Sequence, residues 1–128
     1  VKKNSSRALA ESLADTKYYV CFLALEGEEI VGFALGRNES GVFWADWVGV
    51  KKETRRFGIA EKLMNTLERR LVTLDVHKVW CDTRTDNKES VALLKKLKYR
   101  KLGTFKNGWY KQDFFLWEKD LLKTKKSS

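Results

Sequence analysis

The most constraining feature of this chain is the succession of a strand, a basic turn and a long amphipathic helix over residues 42–74. Residues 42–50 are an apolar strand pattern, 51–57 are polar and basic, and Gly58 closes the turn. From Ile59 the apolar positions are 59, 63, 64, 67, 71 and 74, a stripe of helical period that buries one face. The first amides of a helix have no internal acceptor, and the dipole there favours an anion. Gly58 and Ala60 let a ligand approach the backbone, while Arg55 and Arg56 add charge. The package suits a pyrophosphate. It is neither the phosphate loop ending in Gly-Lys-Ser/Thr nor the three-glycine dinucleotide fingerprint. On this segment alone, a structural turn with solvated arginines is the alternative.

The flanking segments read in the same way. Residues 5–16, with Ala8, Leu9, Leu13 and Ala14 behind Ser5 and Ser6, predict a short capped helix. Residues 18–25 and 30–35 predict a hairpin turned at Glu26-Gly27-Glu28, and a second turn at 38–41 leads into the 42–50 strand. Residues 76–83 form a further strand. Asp86 or Asn87 caps a helix whose inner face is Val91, Leu94 and Leu97. Strands at 99–105 and 113–119 finish the chain around Asn107-Gly108. The order is α-β-β-β-α-β-α-β-β. A strand–helix–strand crossover places its strands in parallel, so the expected domain is α/β (α+β) with a mixed sheet.

Composition bounds the rest. With 128 residues, one domain spanning 1–128 is expected, its basic tail 123–128 disordered. Proline is absent, so Gly, Asn and Asp must supply the turns. The 26 basic and 17 acidic residues leave a net charge of +9, which suits an anionic partner. Cys21 and Cys81 lie in apolar runs and read as buried thiols of a reducing, cytoplasmic compartment. A single histidine, His77, excludes a His-rich metal site, and no metal is expected. No apolar run is long enough to span a membrane, and the start of the chain does not read as a signal peptide.

Arg55-x-x-Gly58-x-Ala60 resembles the Arg/Gln-x-x-Gly-x-Gly/Ala signature of the GNAT superfamily of acyl-CoA N-acyltransferases. Downstream, Asn87, with the small Ser90 three residues on and Leu97-Lys98-Tyr99 at the end, resembles that family's second motif. The resemblance covers about residues 17–122. The stretch 103–121, with Trp109-Tyr110, is similar to members that acetylate protein N-termini. The chain departs from the pattern in three ways. Leu94 stands where the family often has a Tyr, Lys98 stands in place of Gly, and the family's first strand is missing, as in a trimmed N-terminus.

The resemblance implies a mixed, mostly antiparallel twisted sheet with flanking helices and a splayed parallel strand pair. It implies transfer of acetyl from acetyl-CoA, as co-substrate, to a primary amine of a protein or small molecule, by direct attack in a ternary complex. Val48, Gly49 and Val50 would pair with the pantetheine arm through their backbone, the side chains of Val48 and Val50 serving as strand core. Arg55, Arg56, Phe57, Gly58, Ile59 and Ala60 would hold the pyrophosphate. Asn87 and Ser90 would meet the pantetheine arm, Asn87 being equally a helix cap. A homodimer is left open by the resemblance.

The chemistry needs a neutral amine. A lysine-like amine is neutral about once in 2,500 at pH 7, an α-amine about once in ten. Few candidate bases are present, which leans towards α-amines or a proton relayed by water. Asp46, between indoles on the 42–50 strand, is the expected base, raised by desolvation and sharing a face with residues 44, 48 and 50. Its alternative role is to bind the substrate cation or cap local backbone. Tyr110 is expected to supply the acid that Leu94 cannot, or to deprotonate the amine through water, or else to be a loop aromatic over the core. His77 reads as exposed, and Cys81 as inert unless it lies beside the thioester. Two other functions compete: a non-catalytic acyl-CoA-binding module, suggested by Leu94, and a nucleic-acid-binding domain, suggested by the charge.

Overall fold

The computed structural model describes residues 19–52 and 58–121. The helix expected at 5–16, the turn residues Arg55, Arg56 and Phe57, and the tail 123–128 lie outside them. Two hairpins build the first half. Strand β1 (Tyr19–Glu26) turns at Gly27-Glu28 into β2 (Glu29–Glu39), which turns at Ser40-Gly41 into β3 (Val42–Val50). Ser40 and Gly41 both have positive φ, the backbone of a two-residue hairpin loop, and the Asn38 Oδ1 accepts the Gly41 N–H at 3.1 Å. Helix α1 (Ile59–Thr73) then crosses to β4 (Lys78–Arg84), and α2 (Lys88–Lys96) leads to β5 (Arg100–Phe105) and β6 (Phe114–Asp120). The six strands form one mixed sheet in the order β1-β2-β3-β4-β6-β5, with β3 and β4 parallel and the other neighbours antiparallel.

The apolar stripe of α1 explains where the core lies. Leu63, Met64, Leu67 and Leu71 are buried against the face of the sheet that carries Val20, Ala34, Phe43, Ala45, Val79, Cys81 and Trp117. Leu94 and Leu97 bring α2 into the same core. Glu68 of α1 links the layers. It accepts the Tyr99 hydroxyl at 2.7 Å and the Lys119 ammonium at 2.8 Å.

The opposite face carries paired charge. Glu118 of β6 is buried and accepts the Trp80 indole N–H at 2.8 Å and the Lys78 ammonium at 3.0 Å, with Arg100 as a third donor. These donors, Trp80 and then Lys78, hold its carboxyl down at about 2, against an ordinary 4.5. A carboxyl lowered on folding stabilises above its unfolded pKa, and that stabilisation is lost as the pH falls from 4.5 through about 2. Glu118→Gln is therefore expected to cost about 1–2 kcal/mol at pH 7, with Arg100 too exposed to add much. The deficit should vanish near pH 2. Urea titrations of both forms across that range are the check.

Candidate active site

The parallel ladder between β3 and β4 is short. It pairs Val42 with Lys78, Phe43 with Val79 and Trp44 with Trp80, and ends there. Beyond that point β4 stays with β6, in register from Lys78–Asp120 to Arg84–Phe114. Strand β3 stays with β2, but Leu35 faces Trp47 while Gly36 faces Ala45, so Asp46 is an extra residue in a bulge. Gly36 makes the bulge possible, because a Cβ there would come within 2.4 Å of the Trp44 carbonyl oxygen and the Phe43 ring. The two strands part after Trp44 and Trp80. A cleft of about 710 Å³ opens between them, and α1 and α2 also line it.

The bulge corrects one expectation. Residues 44, 46, 48 and 50 do not share a face. Phe43 and Ala45 point to the core. Val48 and Val50, paired with Ala34 and Gly32, rejoin that side after the extra residue, while Trp44 and Asp46 are on the other. Val48 is 39% exposed because it borders the cleft rather than packing as core, and Gly49 and Val50 line the cleft with it.

At the outer end, Gly58 caps α1 in the left-handed region (φ 74°, ψ 20°), and, being glycine, it offers the first-turn amides no side-chain acceptor of its own. A Cβ on Gly58 would meet nothing within 4 Å among the described residues. Ala60 lines the cleft, whereas the Ile59 side chain packs against Gly32 and leaves only its amide to serve a ligand. Glu61 binds Lys96 at 3.0 Å, tying the start of α1 to the end of α2. Asn87 and Ser90 both line the cleft. The Asn87 Oδ1 accepts the Ser90 N–H at 3.1 Å, so Asn87 is the helix cap and its side-chain NH₂ is left for a ligand.

At the inner end the carboxylates differ from the sequence expectation. Asp46 lines the cleft but is gripped by Arg37, Nε to Oδ2 at 3.0 Å and Nη2 to Oδ1 at 3.3 Å. Asp82, which sequence reasoning missed, lies two residues past the last parallel pair on β4, as Asp46 does on β3. It is half-buried, and among the described residues no cation or hydrogen-bond donor meets it. Burial, and then the charge of Asp46, push its carboxyl above the ordinary range. A readable signal existed: a lone carboxylate just past the point where the second strand of the crossover leaves its partner.

Tyr110 lies elsewhere. It sits in the β5–β6 loop with φ 55°, is 87% exposed, and is not among the residues lining the cleft. Leu94 is buried in the core. Cys81 lines the cleft wall, but burial raises its thiol far above the ordinary value and keeps it protonated. Cys21 and Cys81 are both free, and His77 is exposed. Among the described residues no group of His, Cys, Asp and Glu could hold a metal, and no helix is long and apolar enough to cross a membrane.

The described residues thus form an α/β domain whose mixed sheet splits at one parallel pair, with a helix start at the outer end of the split. The sequence matches the model of the acetyltransferase (GNAT) family over residues 3–99, and the chain belongs to that family. No curated protein matches it. Solved structures with the same fold include the ribosomal-protein-S18-alanine N-acetyltransferase of Escherichia coli, at TM-score 0.76 and 17% identity over 86% of this chain and 74% of that one. Ard1 of Thermoplasma volcanium aligns at TM-score 0.78 and 18% identity, over 91% and 78%. An acetyltransferase of Bacillus anthracis in complex with acetyl coenzyme A aligns at TM-score 0.76 and 14% identity, over 83% and 64%. At these identities the likeness establishes the fold. Acetyltransferases of this family use acetyl-CoA.

Proposed function

We propose that this chain is an N-acetyltransferase that moves an acetyl group from acetyl-CoA to a primary amine by direct attack in a ternary complex. The observation that carries the reading is one continuous cleft, from the start of α1 to Asp82, a carboxylate with no partner among the described residues where β3 and β4 part. The cleft fits the co-substrate. Gly58 and Ala60 line the cleft, so the first-turn amides there suit a diphosphate, and the backbone around Val48 offers an edge to an extended arm. Arg55 and Arg56, just before Gly58 in the sequence, add positive charge. Asn87 holds the arm with its NH₂ group while its oxygen stays on the helix cap.

Acetyl-CoA supplies an acyl group activated as a thioester. Asp82 accepts the proton that the amine nitrogen loses as it bonds to the acyl carbon, directly or through one water. The C–S bond breaks and the sulfur leaves as thiolate. A thiol of pKa about 8.5 is a good enough leaving group that neither Leu94 nor the distant Tyr110 is needed as an acid. Asp46 holds the bulge through Arg37 and raises the proton affinity of Asp82. An α-amine of a protein or small molecule is the acceptor that asks least of such a base.

Leu94, in the position where the family often has a tyrosine, favours a second reading, binding of acyl-CoA without turnover. One experiment separates the two. Calorimetry with CoA is expected to give a saturable heat, and release of free thiol from acetyl-CoA is expected to require an amine. Heat with no amine-dependent thiol leaves the binding module, and no heat removes both readings.

A further inference from the structure

The charges and aromatic rings around the inner end of the cleft select among amines. We propose that the acceptor is an amine with no anionic group on the neighbouring atoms and with an apolar flank, as in a peptide α-amine beginning with an apolar residue; this rests on the acetyl-transfer reading above. Free amino acids and acceptors bearing a phosphate beside the amine are excluded by the same features.

Among the described residues no helix covers the sheet face that carries Asp82, and the groups on it point to the acceptor. Three described cations flanking the inner end, Arg37, Arg84 and Lys78, are already engaged. Arg37 binds Asp46 through two nitrogens and lies 3.8 Å from Glu39. Arg84 binds Asp86 at 2.9 Å, and Lys78 binds Glu118 at 3.0 Å and Asp120 at 3.2 Å. Asp82 alone is uncompensated among the described residues on this part of the face. An incoming ammonium is attracted there, whereas a carboxylate carried beside it meets a like charge. Turning Arg37 or Arg84 to that carboxylate would strip Asp46 or Asp86 of its partner. An amide carbonyl in the same place has no such conflict.

The apolar flank comes from the indoles. Trp47 lines the cleft and is 61% exposed, a large apolar surface left uncovered at the mouth. Trp44 and Trp80 pack edge to face at 6.3 Å on the last rung of the parallel ladder, on the side that Asp82 faces. These rings can cover the first side chain of a peptide, and their faces also attract the ammonium before it loses its proton.

Three acceptors test this: L-phenylalaninamide, L-alaninamide and L-phenylalanine. The readout is acetyl-CoA-dependent thiol release, with kcat/KM expressed per neutral amine because the amides are less basic. Phenylalaninamide is expected to exceed phenylalanine by about tenfold or more, the size of one like-charge contact in a partly buried site. It should exceed alaninamide about fivefold or more, and Trp47→Ala should bring that second ratio towards one without changing the first. A ratio of one in either wild-type comparison overturns the proposal. So does turnover of none of the three by protein that binds CoA in the calorimeter. Absence of CoA binding instead sinks the acetyl-transfer reading, and the acceptor proposal with it.

Discussion

Asp82→Asn is expected to lower kcat/KM by about 100-fold while the protein stays folded and binds CoA as before. The carboxylate is half-buried, lines the cleft and has no partner to lose among the described residues, so the substitution removes a proton acceptor and little else. Its pKa is raised by burial and by Asp46. An acid raised on folding contributes stability below its unfolded pKa and loses it as the pH rises through the folded one. At pH 7 the ionised group is therefore a cost, and the uncharged Asn variant should melt no lower than the wild type. The wild-type rate should fall as the pH drops through the raised pKa of Asp82. In the variant that limb disappears, and only the ionisation of the amine remains. The check is kcat/KM against pH for both forms, with melting curves alongside. A variant that keeps full activity would move the base elsewhere. A variant that melts far below the wild type would make Asp82 a structural residue. Asp46→Asn should behave differently: it loosens the grip of Arg37 on the bulge, so its effect falls on folding and CoA affinity as well as on rate.

The same two carboxylates mark where the sequence could be read and where it could not. The hairpin strands, α1 and the Asn87 cap were legible because each depends on local periodicity or on one side chain satisfying nearby amides. The bulge was not. Nothing in the residues around Asp46 announces an extra residue. It is set across the sheet, where Gly36 lets the Trp44 carbonyl approach and Arg37 seizes the carboxylate. Strict alternation therefore assigned Val48 and Val50 to the wrong face. Asp82 escaped for a related reason, since its height relative to Asp46 depends on the register of a parallel pair joined by a whole helix. Lys98 is a third case. It takes φ 72° after α2, the conformation that favours glycine, so the missing glycine changed the residue but not the backbone. At Tyr110 the sequence shows only a loop containing Asn107-Gly108 between two strands. That loop has positive φ at Asn107, Tyr110 and Lys111, which carries the phenol into solvent and away from the cleft.

Gly58→Val is expected to weaken CoA binding by about 100-fold, as large an effect as any single change at the outer end. Two separate consequences are built into that residue. Its left-handed backbone costs any side chain about 1–2 kcal/mol, so Gly58→Ala and Gly58→Val should both melt several degrees lower. The Cβ direction, however, meets nothing within 4 Å among the described residues, and on the acetyl-CoA reading the diphosphate approaches the first-turn amides from there. Alanine leaves most of that space, whereas the two methyl groups of valine fill it. Loss of one or two charge-assisted hydrogen bonds is about 3 kcal/mol, which is the 100-fold expected. The comparison between the two variants isolates the cradle from the strain, because strain is common to both. Calorimetry with CoA should find the alanine variant within about tenfold of the wild type and the valine variant far beyond it. If the two bind equally well, the anion sits elsewhere and the start of α1 is only a turn. If valine alone fails, the backbone of this helix is what holds the co-substrate, and the arginines preceding it serve to draw the anion in.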